Sequence, residues 1–253
     1  MAIDIHALER YCDNLLASAR FRDYCPNGLQ VEGGARVGRL AAAVTANQSV
    51  IDAAVAWDAD ALLVHHGYFW RGEDAPIVGM KKRRIAALLR ADISLLAYHL
   101  PLDAHPELGN NAQLGRRLEF PAGESLQPDD PTAVGNVTTL PTPRSLDELC
   151  ARVHEVTGRE PLLVGQGERL VNRVAWCTGA AQGYVDRAAA AGAEVYISGE
   201  ISEPTVHAAR EQGIAYIAAG HHATERYGVQ ALAAHLADAH HLEWTFIDCD
   251  NPA

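Results

Sequence analysis

Apolar positions along the chain follow two periods, one typical of strands and one typical of helices. Short stretches rich in apolar residues predict strands at 40–45, 61–65, 94–99, 133–140, 161–164, 171–177, 194–198, 214–219 and 243–248. Amphipathic stretches predict helices at 3–16, 49–57, 82–91, 145–157, 184–191, 204–212 and 224–237. This alternation favours βαβ units and an α/β fold with mainly parallel sheets. The Pro-, Asp- and Gly-rich run 121–131 is interpreted as a linker.

Two stretches of the chain repeat one pattern of strands, helices and polar strand ends. In the first, successive strands end in Thr45, in His65-His66-Gly67 and in His99-x-x-x-Asp103. In the second, they end in Thr178, in Ser198-Gly199-Glu200 and in His221-x-x-x-Glu225. The same elements in the same order predict two related α/β units, packed face to face.

Composition and charge narrow the possible functions. Hydrophobic residues make up 48% of the 253 positions, enough for a sizeable core, and the formal net charge of -11 argues against general nucleic-acid binding. No apolar run approaches the roughly 20 residues of a membrane span, and no signal peptide is visible. The five cysteines form no C-x-x-C, which is typical of free thiols. A cytoplasmic location is therefore expected.

The clearest chemical signal is the pair His65-His66 at the end of a buried strand, where ligands of α/β sheets bind. The alternative is that His65 and His66 are simply two polar residues in a surface loop.

His99 and Asp103 follow the next strand. Pro101 is expected to prevent a regular helix, so that Asp103 projects from a constrained loop. Asp103 could instead cap a following turn.

His221 and Glu225 follow a third strand at a spacing that places both on one helix face. The alternatives are that His221 caps the helix and that Glu225 is a charge in its first turn. Imidazoles and carboxylates without cysteine suit Zn, Mn, Fe, Ni or Co. The donors are too few for two closed sites, but they suit two open sites about 3.5–4 Å apart that share a bridging carboxylate.

Longer motifs carry a resemblance to a known family: NGLQVEG (27–33), LLVHHGYFW (62–70), AYHLPLDAHPELGNNAQLG (97–115), VAWCTGAAQGYVDRA (174–188), YISGEISEPTVHAAREQG (196–213) and AAGHHATERYG (218–228). Over nearly its whole length the chain resembles the Nif-three-like dinuclear metal-centre family, in its enterobacterial short form. Members are often labelled GTP cyclohydrolase 1 type 2 homologues. The resemblance implies two interlocked α/β/α domains, a dinuclear metal site between them and a toroidal homohexamer. It places the metal ligands at His65, His66, Asp103, His221 and Glu225.

These observations lead to one functional expectation and two alternatives. We expect a first domain at 1–125 with about 215–253, carrying most of the ligands, and a second at about 126–214. The expected function is binding of two divalent ions, with metal-dependent hydrolysis of a small polar or nucleotide-like substrate. Non-catalytic metal binding or delivery, and an assembly scaffold, are the alternatives.

Further residues are candidates for supporting roles. Glu200, Glu203 and His99 are candidate catalytic residues. The two glutamates could act as acid or base, and His99 could hydrogen-bond a metal ligand. The aromatics 68–70 either stack on a flat ring or pack in the core, and the basic run 81–84 either faces a phosphate or is solvated. No P-loop motif occurs, which argues against nucleotide hydrolysis of that type.

Overall fold

A computed structural model describes residues 2–253, which form two compact units. The first unit comprises the residues up to Leu102 together with Gly228–Asp250, and the second comprises Asp103–Tyr227 together with Asn251–Ala253. The strands are β1 (Ile3–Asp4), β2 (Gly28–Val31), β3 (Arg36–Val37), β4 (Arg39–Thr45), β5 (Ala61–His66), β6 (Ser94–Ala97), β7 (Glu124–Ser125), β8 (Asn136–Ser145), β9 (Leu162–Val164), β10 (Leu170–Cys177), β11 (Val195–Ser198), β12 (Ala215–Ala218) and β13 (Glu243–Phe246). The helices are α1 (Ile5–Leu16), α2 (Gln48–Ala56), α3 (Gly79–Arg90), α4 (Leu100–Ala104), α5 (Asn110–Arg117), α6 (Leu146–Thr157), α7 (Val185–Ala190), α8 (Glu203–Glu211), α9 (His221–Thr224) and α10 (Arg226–His240).

The first unit contains a five-stranded sheet in the order β13-β4-β5-β6-β2. The first four strands are parallel, and β2 closes the edge in antiparallel register. The central strand is buried on both faces, which explains the unbroken apolar run Ala61–Val64. All three inner strands therefore end at the same edge of the sheet, where their polar terminal residues lie.

The second unit contains a six-stranded sheet in the order β7-β8-β10-β11-β12-β9. Its centre, β10-β11-β12, is parallel, whereas the pairings at both flanks are antiparallel. This sheet is mixed, so the expectation of mainly parallel sheets holds only for the first unit. The parallel centre with its helices α7 and α8 repeats the order of β4-β5-β6 with α2 and α3, as the internal repeat predicted.

Helix starts follow local sequence signals. Asn47 and Ser145 accept hydrogen bonds from the backbone three residues on, at 2.9 and 3.1 Å. The Glu148 carboxylate accepts a hydrogen bond from the Ser145 N–H in return, which confirms the predicted capping box. Within residues 2–253, the helices are all too short or too polar to cross a membrane.

Two local predictions were wrong. Pro101 does not prevent a helix: it lies in the first turn of α4, where a missing backbone N–H costs nothing, and Asp103 is helical. The run 121–131 is not a linker, because it lies wholly within the second unit and β7 pairs with β8. The predicted helix 224–237 is present as α10, which begins at Arg226, and the short helix α9 precedes it.

Candidate metal centre

His65 and His66 end β5, and each imidazole is held through its Nδ1 atom. The fully buried His65 has Nδ1 2.9 Å from the Tyr98 carbonyl oxygen, which can only accept, so Nδ1 carries the hydrogen. His66 has Nδ1 3.2 Å from the Thr45 hydroxyl of the neighbouring strand. A metal on either ring would thus be bound through Nε2. A fixed ring of this kind is the usual arrangement of metal-binding histidines.

His99 lies beside this pair, just after β6. Its Nδ1 is 2.6 Å from Oδ1 of Asp23, and its backbone N–H donates to the Asn27 side chain at 2.8 Å. The ring centroids of His99 are 5.0 Å from His65 and 5.8 Å from His66. His65, His66 and His99, here called the imidazole cluster, each offer a nitrogen within 4.8 Å of the other two. Adjacent strand residues point to opposite faces of a sheet, yet at this strand end the two rings lie 4.6 Å apart.

Asp103 is a buried carboxylate of the second unit, oriented by amides. Its Oδ1 accepts from Nδ2 of Asn110 at 2.9 Å, and the Thr178 hydroxyl lies 3.4 Å from the same atom. Asn111 donates to the Asp103 backbone carbonyl and accepts from the Thr178 N–H, so it ties α4 to the end of β10. The carboxylate is therefore fixed at the end of a parallel strand.

His221 and Glu225 lie at the two ends of α9. Nε2 of His221 is 3.2 Å from Oε2 of Glu225, which confirms that the predicted i, i+4 spacing brings them together. Nδ1 of His221 is 2.7 Å from Oε1 of Glu200, which follows β11. Carboxylate oxygens of Glu225 and Asp103 lie within 4.8 Å of one another. We call Asp103, His221 and Glu225 the carboxylate cluster.

Glycines make room for this cluster. A Cβ atom on Gly179 would lie 2.0 Å from Oε1 of Glu225, and the residue has a φ of +68° that favours glycine. A Cβ atom on Gly199 would lie 2.6 Å from the Gly179 carbonyl oxygen and 2.7 Å from Cα of His221. The backbones that follow β10 and β11 can therefore approach α9 only because both positions lack a side chain.

The carboxylates shape the local electrostatics. Burial alone would lower the pKa of His221, but the hydrogen bond and charge of Glu225, followed by those of Glu200, raise it to about 9. His221 thus carries a positive charge beside two carboxylates when no other cation is present. Burial, followed by the charges of Asp103 and Glu225, raises the pKa of Cys177 well above its ordinary value. That thiol therefore stays protonated when no metal ion is bound.

The remaining candidates lie around these clusters or apart from them. The ring centroids of Trp70 and His99 are 5.0 Å apart, in an edge-to-face arrangement. Tyr68 is buried, and its hydroxyl donates a hydrogen bond to the Ala46 carbonyl. Glu203 begins α8 and pairs with His207, with 81% of its side chain exposed. In the basic run, Lys81 pairs with Glu73 at 3.3 Å.

Sequence reasoning missed the residues that orient the donors. Asp23 accepts hydrogen bonds from His99, Asn27 and the Leu100 N–H, although it lies over 70 positions before His99 in the chain. Only NGLQVEG, which begins at Asn27, pointed to this neighbourhood. No local pattern reveals a contact over such a separation, so only the fold could identify Asp23.

The fold and the two clusters define a mixed α/β protein with imidazole and carboxylate donors that can hold divalent metal ions. The chain belongs to the Duf34/NIF3 (NGG1p interacting factor 3) family, whose model matches residues 3–252. The resemblance found in the sequence motifs is thereby confirmed.

Individual relatives match over essentially their whole lengths. A protein of Pseudomonas aeruginosa named GTP cyclohydrolase 1 type 2 homolog is 55% identical, with 100% of each chain covered. Among solved structures, the protein ybgI, of unknown function, has a TM-score of 0.93 at 46% identity, covering 99% of this chain and 100% of the other. A protein of Thermus thermophilus has a TM-score of 0.90 at 36% identity, with the same coverage.

Proposed function

We propose that this chain binds two divalent metal ions and is a metal-dependent hydrolase acting on a small polar or nucleotide-like substrate. His65, His66, Asp103, His221 and Glu225 would be the ligands, contributed by both units, with a carboxylate shared by the two ions. Zn, Mn, Fe, Ni and Co all suit this donor set. Bound ions of this kind supply Lewis acidity at a substrate oxygen.

One observation carries the proposal: the donors are oriented by surrounding groups rather than by one another alone. Nδ1 of His65 is held by a carbonyl oxygen, Nδ1 of His66 lies near a hydroxyl, and Nδ1 of His221 is held by Glu200. Asp103 is likewise fixed by Asn110. Such outer partners fix the ring orientation that metal ligation requires, and surface polar residues have no need of them.

The charge of the carboxylate cluster suits a divalent cation. Asp103 and Glu225 are 7% and 3% exposed, and the carboxylate of Glu200 lies 2.7 Å from Nδ1 of His221. Buried carboxylates are stabilised by a cation that they contact directly. A divalent cation would replace the proton on His221 and neutralise this cluster.

The experiment is metal loading followed by elemental analysis and a metabolite activity screen. We expect two ions per chain, and we expect His65→Ala combined with Asp103→Ala to abolish binding. His154→Ala, a change at a surface histidine, is the matched control. Full metal content in the double variant would overturn the ligand assignment. Stable binding without turnover, together with transfer of the ion to an acceptor protein, would favour metal delivery instead.

We also propose that the chain assembles as a toroidal homohexamer, as the family resemblance implies. The segment before α3 and its first turn offer exposed apolar side chains, since Ile77, Val78 and Met80 are 50%, 65% and 56% exposed. Exposed apolar groups in one segment are typical of contact surfaces. Native mass spectrometry should show a sixfold mass, whereas a stable monomer at micromolar concentration would refute the proposal.

A further inference from the structure

We propose that His99 is a further metal ligand, the third imidazole donor of the imidazole cluster, and that Asp23 is the carboxylate that positions it. This inference rests on the proposed function, because it assumes that His65 and His66 bind a metal. It adds a residue to the ligand set that the sequence motifs indicated. A site with three imidazole donors and an open position is a common arrangement for catalytic zinc.

The internal repeat supplies the first argument. His99 follows the third parallel strand of the first unit, β6, and His221 follows the third parallel strand of the second unit, β12. Both histidines are followed four residues later by an acidic residue, Asp103 or Glu225. His99 is therefore the counterpart of a proposed metal ligand, at the same point of the same βαβ pattern.

The repeat extends to the group behind each ring. Nδ1 of His99 is 2.6 Å from a carboxylate oxygen of Asp23, and Nδ1 of His221 is 2.7 Å from one of Glu200. A carboxylate at Nδ1 directs Nε2 outward and increases its basicity, which is the usual arrangement behind metal-binding histidines. The two carboxylates come from unrelated places in the sequence, yet they hold their histidines in the same way.

Asp23 is held firmly in this position by hydrogen bonds. Its side chain is 2% exposed, and it accepts hydrogen bonds from Tyr24 N–H, Asn27 Nδ2 and Leu100 N–H besides its contact with His99. A buried carboxylate fixed by so many donors can in turn fix the orientation of the His99 ring.

The position of the ring supplies the last argument. The His99 ring centroid lies 5.0 Å from that of His65, and the imidazole cluster offers nitrogens within 4.8 Å of one another. Trp70 lies edge to face with His99 at 5.0 Å and limits the space into which the ring can turn. His99 is thus restrained by Asp23, Asn27 and Trp70 at a distance suited to a shared ion.

The test is direct detection of the metal–nitrogen bond. The full-length chain, labelled with ¹⁵N-histidine and loaded with ¹¹³Cd²⁺, should show one-bond ¹¹³Cd–¹⁵N coupling at Nε2 of His65, His66 and His99. The His99 signal is assigned by its loss in His99→Gln. Coupling at His65 and His66 without coupling at His99 would overturn this inference and leave the proposed function intact. Absence of coupling at all of these histidines would overturn both.

Two variants separate ligation from positioning. If His99 is a ligand, His99→Gln should weaken Cd²⁺ binding by more than the roughly tenfold to hundredfold loss that is typical of an outer partner, whereas the control His154→Gln should not change it. Asp23→Asn should shift metal-free His99 from the Nδ1–H toward the Nε2–H tautomer, which ¹⁵N chemical shifts report, and should weaken Cd²⁺ binding by about tenfold. Unchanged affinity in both variants would contradict the assignment.

Discussion

The two units use the same scaffold to hold donors in different ways. Each has three parallel strands whose carboxyl ends carry polar side chains. In each unit, Nδ1 of a histidine, His99 or His221, lies within hydrogen-bond distance of a carboxylate. In the imidazole cluster, hydrogen bonds through Nδ1 fix the rings. In the carboxylate cluster, Gly179 and Gly199 also let the backbone approach α9 closely. The first cluster therefore depends on its polar partners, and the second depends in addition on the absence of side chains.

The shared scaffold predicts equal losses of stability from matched core changes. Leu62 and Ile197 are fully buried in the middle strands β5 and β11. We expect Leu62→Ala and Ile197→Ala each to lower the free energy of unfolding by about 2–5 kcal/mol, because each leaves a cavity. Urea unfolding measures both. The control Leu170→Ala, at a side chain that is 64% exposed, should stay within about 0.5 kcal/mol of the parent. If only one of the two variants lost stability, the two sheets would differ in their contribution to the free energy of unfolding.

The glycines predict a difference between the clusters. Gly179→Ala would bring a methyl group within 2.0 Å of the Glu225 carboxylate, in a backbone conformation that alanine adopts poorly. We expect Zn²⁺ affinity to fall about a hundredfold, since the displaced Glu225 is a proposed ligand. Competition titration against a chromophoric chelator measures it.

Gly183→Ala is the matched control, because nothing lies within 4 Å of its added Cβ. If Gly179→Ala bound Zn²⁺ as tightly as Gly183→Ala, the close approach around Glu225 would have no part in metal binding.

The sequence predicted the scaffold better than the surroundings of its donors. Strands 40–45 and 171–177 and the capping box at Ser145 are confirmed, because apolar-rich stretches and helix caps are local signals. His221 and Glu225 met as predicted because one helical turn joins them. Asp23 behind His99 and Gly179 beside Glu225 escaped prediction, because each contact joins residues that lie far apart in the chain.

The carboxylate cluster predicts that the stability of the metal-free protein depends on pH. The pKa of His221 is about 9 in the folded protein, against 6.5 for an ordinary histidine, so His221 binds its proton more tightly in the folded than in the unfolded chain. The resulting stabilisation is fully present below pH 6.5 and is lost as the pH rises to about 9. We expect the free energy of unfolding to fall by about 1–2 kcal/mol over this window.

Urea unfolding at several pH values, with a chelator present, measures this change. His221→Gln should remove most of the slope, and His154→Gln should retain it. A parent curve that is flat between pH 6.5 and 9 would mean that Glu225 and Glu200 do not hold the proton on His221.

The smallest expected effect concerns a single hydrogen bond in the imidazole cluster. Thr45→Val keeps the shape of the side chain but removes the hydroxyl that lies 3.2 Å from Nδ1 of His66. We expect a loss of about tenfold in Zn²⁺ affinity, at the low end for an outer partner of a metal ligand, because His66 is partly exposed and water can replace the hydroxyl. Thr45→Ser, which keeps a hydroxyl, should bind like the parent. Equal affinity in the valine and serine variants would show that His66 needs no partner at Nδ1, and the imidazole cluster would then depend on the strand ends of β5 and β6 alone.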